Sequence, residues 1–175
     1  MITKAIGNKV LSVFFENPEK KFHLRELSRL TGLSIAGVIK IVKELKVAGL
    51  LKSKKERTVE IVEADFDRKF SYFKRAYNLL SLYDYGLIQK LNEFYEHPQC
   101  IIVFGSYADG TDLSDSDIDI AVITKIDILP NLSTAENMLK RKINILTIDV
   151  GKAKPSFKNS LANGIVLSGY LELIK

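Results

Sequence analysis

The chain has 175 residues, 46% of them hydrophobic and 27% charged, with 14 glycines and prolines together, a composition that excludes a disordered tail or a low-complexity polymer. Its longest apolar runs fall far short of the roughly 18 residues of a membrane span, and the opening Met1-Ile2-Thr3-Lys4 carries no signal-peptide core, so a cytoplasmic protein without membrane contact is expected. One cysteine, Cys100, and two distant histidines, His23 and His97, leave no internal disulfide and no Cys/His zinc cluster.

Net charge is +5, and its distribution is uneven. Residues 1–62 carry 13 basic and 6 acidic side chains, whereas the remaining two thirds are close to neutral. Clustered Lys and Arg displace condensed counterions, so the first segment suits a polyanion. Ile2, Ile6, Val10, Val13 and Phe14 recur at helical spacing up to Pro18, which predicts a helix over residues 2–16. A second short helix is predicted from Leu24 to Leu30, stopped by Gly32. Ser34 then caps a third helix, with Ile35, Val38, Ile39, Val42 and Leu45 as its apolar face and Gly49 as its end. The turn Thr31-Gly32-Leu33-Ser34 makes this a helix-turn-helix pattern that leaves Ser34, Ala36, Gly37, Lys40 and Lys43 on the open face. Leu50-Leu51-Lys52 and Thr58-Val59-Glu60-Ile61-Val62 alternate like strands, predicting a hairpin with Lys54, Lys55 and Arg57 at a basic tip.

The stretch "FHLRELSRLTGLSIAGVIKIVKELKVAGLL" running into "KSKKERTVEIV" resembles the winged helix-turn-helix of prokaryotic transcription regulators. The resemblance implies binding to double-stranded DNA, with the third helix (Ser34, Lys40, Lys43) in the major groove and Lys54, Lys55 and Arg57 on backbone or minor groove. It also implies a two-fold homodimer.

From Asp65 to about His97 the chain reads helical, with a break near residues 81–86 marked by Ser81, Asp84 and Gly86. Its many aromatics are read as packing rather than a base-stacking platform. Cys100-Ile101-Ile102-Val103-Phe104 is a short β-branched strand that exits through Gly105-Ser106. Further on, Asp117 and Asp119 emerge on one face of a strand about 7 Å apart, close enough to repel unless a cation sits between them. Hard oxygen ligands of this kind suit Mg²⁺ or Mn²⁺ bridging to nucleotide phosphates, while a Gly-Ser turn at a helix start offers backbone N–H groups and a hydroxyl to the same phosphates. Asp109, Asp112 and Asp115 read as a solvated acidic turn.

The segment "IIVFGSYADGTDLSDSDIDIAVI", with ten residues between Ser106 and Asp117, resembles the minimal nucleotidyltransferases of the DNA polymerase β superfamily. By that likeness Gly105 and Ser106 bind a nucleoside triphosphate, and Asp117 and Asp119 are catalytic metal ligands for attack of a hydroxyl on the α-phosphate. The superfamily places a third carboxylate on a later strand. Here that strand is "KINILTIDV" and the matching position is Asn144, which can contact the nucleotide site but cannot accept a proton as a carboxylate does. Asp149 is five residues on, an odd offset that turns it to the other face unless a bulge intervenes.

The expected architecture is α/β in the α+β sense. A winged helix over 1–64 leads through a helical linker over 65–80 into a nucleotidyltransferase-like domain with a mixed sheet over 81–175. The expected function is a DNA-binding regulator that binds Mg²⁺-nucleoside triphosphate with weak or no transfer. The alternatives are an active nucleotidyltransferase acting on a protein or small-molecule hydroxyl, or an antitoxin-like protein with a toxin-like partner, which the resemblance also implies.

Overall fold

A computed structural model describes residues 9–56, 59–149, 151 and 153–172. The chain divides into two compact units, Met1–Tyr77 and Asn78–Lys175. Among the described residues it is a mixed α and β protein, and no described helix is long and apolar enough to cross a membrane.

In the first unit, helix α1 spans Lys9–Glu16; the earlier residues of the predicted helix lie outside those described. Helix α2, Leu24–Thr31, ends at Gly32, whose φ of 71° is the left-handed conformation glycine adopts without steric cost. Helix α3, Ile35–Val47, begins at Ser34, whose hydroxyl accepts a hydrogen bond from the Gly37 N–H at 3.1 Å. Strands β2 (Leu51–Glu56) and β3 (Val59–Ala64) pair antiparallel. A three-residue strand β1, Lys21–His23, adds to the other side of β3 and gives the sheet order β1-β3-β2. Val10, Phe14, Leu27, Val38, Val42 and Val62 meet in its core.

Two expectations change here. Ile35 and Ile39 are exposed, and α3 is buried through Val38, Val42 and Leu45. Seven large apolar residues, Ile35, Val38, Ile39, Ile41, Val42, Leu45 and Val47, cover too much of the helical wheel for periodicity to say which side faces the core. Lys54 and Lys55 stand within paired β2, opposite Ile61 and Glu60, instead of in a loop at the tip. Arg57 lies outside the described residues.

Helix α4 spans Arg68–Asp84, and the boundary between the units falls within it after Tyr77. Its first half packs by aromatic contact on the first unit: Phe15 stands 5.2 Å from Phe70 and 5.1 Å from Tyr77 by ring centroids, and the Tyr77 hydroxyl donates to Glu16. Tyr85-Gly86 breaks the helix before α5, Leu87–Phe94.

In the second unit, strand β4 (Cys100–Phe104) leads into the short helix α6 (Gly105–Asp109), followed by β5 (Ile118–Ile123), α7 (Ser133–Leu139), β6 (Ile143–Ile148), α8 (Pro155–Ala162) and β7 (Ile165–Gly169). The sheet order is β6-β5-β4-β7, with β5 and β6 parallel and the other pairs antiparallel. Parallel neighbours need a crossover, which runs through α7. Both faces are covered. Ile101, Val103, Ile118, Ile120 and Val122 pack on one side with Leu87 and Leu91 of α5, and Ile102, Ala121 and Ile123 pack on the other with Leu161 of α8. That double burial explains why β4 reads as a continuous apolar run. It also pushes the Cys100 thiol up to about 11, leaving it protonated and unreactive at neutral pH.

The loop between α6 and β5 is held from inside. Asp112 is buried, with its Oδ1 accepting from Asn78 Nδ2 at 2.8 Å and its Oδ2 lying 3.7 Å from the Arg141 guanidinium. Asn78 also donates to the Tyr107 carbonyl, and Arg141 to the Ser114 carbonyl. Asp112 is therefore a structural anchor, in contrast to the solvated turn expected for it. Removing the Arg141 cation from this buried pair leaves the Asp112 charge less compensated, even though Asn78 still donates to it, so Arg141→Ala is expected to cost about 3 kcal/mol. Urea denaturation checks it; a loss within about 0.5 kcal/mol, the size of an ordinary surface substitution, contradicts the anchoring role.

Candidate functional site

The sheet register sets one row of side chains across three strands. Phe104 pairs with Asp119 in the β4–β5 ladder, and Asp119 pairs with Asn144 in the β5–β6 ladder. Asp117 precedes β5 and shares the face of Asp119, because strand side chains alternate with period two. The start of β6 is tied down as well: the Ile143 N–H donates to Glu136 Oε1 at 3.0 Å, and the Ile118 N–H donates to the Lys142 carbonyl at 2.8 Å.

The consequence is a tight polar triangle. Asn144 Nδ2 donates to Asp117 Oδ2 at 3.2 Å and to Asp119 Oδ1 at 3.1 Å. The two carboxylates are half-buried and Asn144 is exposed. Ionised carboxylates only accept hydrogen bonds, so the amide is oriented with its NH₂ toward them. It offsets part of their mutual repulsion.

Gly105 closes the site from β4. Its φ is +72°, and a Cβ built there would stand 3.2 Å from Asp119 Oδ2. Glycine meets both demands, the left-handed backbone and the close approach of the carboxylate, at the least cost. Ser106 follows in the first turn of α6, half-buried beside it. The residues read from the sequence as the chemical site, Gly105, Ser106, Asp117, Asp119 and Asn144, thus share one corner of the sheet.

Asp149 does not join them. The β5–β6 register is unbroken from Ile118↔Ile143 to Ile123↔Ile148, with no bulge to re-aim the strand. Asp149 follows the far end of β6, five residues or roughly 16 Å of strand from Asn144. Its Oδ1 accepts from the Gly151 N–H at 3.0 Å. It borders an open depression of about 1070 Å³ shared with His97, Lys125, Asp127 and Thr147. The acidic corner, not this hollow, is where the candidate chemistry lies, since the paired carboxylates stand there. Among the described residues no group of three or more His, Cys, Asp and Glu side chains is arranged to hold a metal ion.

In the first unit, Ser34 spends its hydroxyl on the helix cap, while Lys40, Lys43, Lys54 and Lys55 are exposed. Lys21, Lys46 and Lys52 form ion pairs with Glu63, Glu60 and Asp65, whereas Lys40, Lys43 and Lys54 enter none among the described residues. Lys55 faces Glu60, whose carboxyl is held below its ordinary value by the Ser53 hydroxyl first and by Lys46 and Lys55 as well. The Asn78–Asp112–Arg141 anchor was missed from the sequence. Nothing in the spacing distinguishes Asp112 from Asp109 and Asp115.

Residues 87–170 match the protein family described as "Polymerase beta, Nucleotidyltransferase". The second unit therefore carries a nucleotidyltransferase-type domain, and the match includes all five residues of the corner. Residues 1–86 lie outside it. No curated protein is significantly similar to the chain.

Gly105→Ala is expected to lose about 1–2 kcal/mol from left-handed strain alone. Gly86→Ala is its control, since Gly86 has a φ of +67° with open space where the Cβ would go. Gly105→Ala should melt lower than Gly86→Ala. Equal losses in urea titration contradict the steric coupling to Asp119.

Proposed function

We propose that the second unit binds a nucleoside triphosphate with a divalent cation and transfers its nucleotidyl group slowly or not at all. The observation that carries this reading is the triangle of Asp117, Asp119 and Asn144 beside Gly105. Its donor set fits one hard cation: Asp117 and Asp119 supply carboxylate oxygens, and Asn144 can offer its amide oxygen in place of the NH₂. Mg²⁺ or Mn²⁺ held there neutralises phosphate charge and polarises the reacting phosphoryl oxygens. The amide differs from a carboxylate in two ways. It adds no negative charge to retain a second cation, and it accepts no proton from an attacking hydroxyl. Gly105 and Ser106 contribute backbone N–H groups and a hydroxyl for phosphate oxygens.

Ligand that binds only the folded state raises its melting temperature. Mg²⁺ with nucleoside triphosphate should therefore stabilise the native chain, and Asp119→Asn should abolish the shift while the metal-free protein stays folded. Absence of any Mg²⁺-dependent shift or calorimetric heat in the native protein contradicts the proposal.

We further propose that residues 1–62 bind duplex DNA as a winged helix-turn-helix, making the chain a regulator. The packing of α2 and α3 across a short turn beside a three-stranded sheet supports this, together with the basic excess and the exposed lysines on α3 and β2. Lys54→Ala with Lys55→Ala should weaken binding across sequences and flatten its salt dependence, because each phosphate contact releases counterions. Lys55 shares its charge with Glu60, so Lys54 should carry the larger share. Unchanged affinity and salt slope in the double variant count against the hairpin as a contact.

A further inference from the structure

Helix α3 turns an unusual surface to solvent. Ile35 and Ile39 are 45% and 48% exposed, although Val38, Val42 and Leu45 already bury the helix on its core side. Residues four apart stack along a helix, so Ile35, Ile39 and Lys43 form one ridge, with Ala36 and Lys40 on the next. Along this face Ile35 and Ile39 come before Lys40 and Lys43. The sole acidic residue of α3, Glu44, continues the Ala36–Lys40 ridge in the last turn, beyond both isoleucines. Two β-branched side chains there favour neither helix propensity nor solubility, so the surface is explained by contact with something apolar amid negative charge.

We infer that Ile35 and Ile39 read thymine C5-methyl groups in the major groove of duplex DNA, with Lys40 and Lys43 on neighbouring guanine edges or phosphates. The inference rests on the proposed DNA-binding role of the first unit. Thymine is the only base that presents an apolar group in the major groove, and an isoleucine side chain, having no donor or acceptor, can distinguish nothing else there. Residues at the front of a helix lying in the groove are the ones that meet base edges, and Ala36 and Gly37 leave room for close approach. A second copy of this chain fits the face less well. Packing α3 on itself about a two-fold axis would bring Lys40 and Lys43 of both copies to one seam, a like-charge arrangement that suppresses association. DNA supplies the methyl and the opposite charge together.

The test uses the full chain. A duplex site is selected from a random library at fixed salt, and each thymine in turn is then replaced by deoxyuridine, which removes the C5-methyl and leaves base pairing intact. One buried methyl is worth roughly a fourfold change in affinity, so one or two positions should show about that loss with the native protein. Ile35→Ala and Ile39→Ala, exposed changes to a better helix former, should each erase the loss at one such position while melting as the native chain does. Equal binding of every deoxyuridine duplex overturns the inference, as does a loss that persists undiminished in both variants or a selected site without thymine. Failure to bind any duplex is a different result, which overturns the DNA-binding reading and the inference with it.

Discussion

The candidate site depends on one pairing, the parallel register of β5 with β6 that sets Asn144 opposite Asp119. Two carboxylates held two residues apart at the start of an interior strand repel each other, and the Asn144 amide donates to both. The rest of the second unit holds that register. The sheet is buried on both faces, Glu136 and Lys142 tether the starts of β6 and β5, and the Asn78–Asp112–Arg141 anchor restrains the loop that delivers Asp117. Burying one isoleucine or valine of such a sheet contributes about 1.5–3 kcal/mol, far more than the exposed hydrogen bonds at the site, so the core dictates the position of the acids and not the reverse.

An amide at the third position changes the electrostatics of the corner. A third carboxylate would deepen the negative potential and make the metal-free state costly, whereas an amide lowers that cost by donating its hydrogens. The same substitution weakens the hold on a second cation and removes a proton acceptor. On the proposed reading, such a site would favour binding over turnover.

How far the sequence spoke for itself differs from residue to residue. The Gly105 turn and the shared face of Asp117 and Asp119 were legible because strand alternation and the glycine turn are local rules, whereas Asn144 was picked out only by the family resemblance, and the odd offset of Asp149 left its role open until the unbroken β5–β6 register put it past the far end of β6. Asp112 was not legible. Its burial comes from Arg141 and Asn78, each about thirty residues away, and local pattern made it one acid among three in a polar loop. Ile35 and Ile39 were read as core for a related reason, since hydrophobic spacing describes a stripe but not its width or the neighbours that cover it. Strand β1 is three residues long and forms only against β3, so no periodicity announces it.

The most direct measurement is transfer from a nucleoside triphosphate labelled at the α-phosphate, with Mg²⁺ or Mn²⁺, comparing the native chain with Asn144→Asp and Asn144→Ala. Slow or undetectable native transfer that rises in Asn144→Asp, and does not rise in Asn144→Ala, is the expected result. Robust native transfer that persists in Asn144→Ala would contradict the account, because a carboxylate elsewhere would then be completing the site.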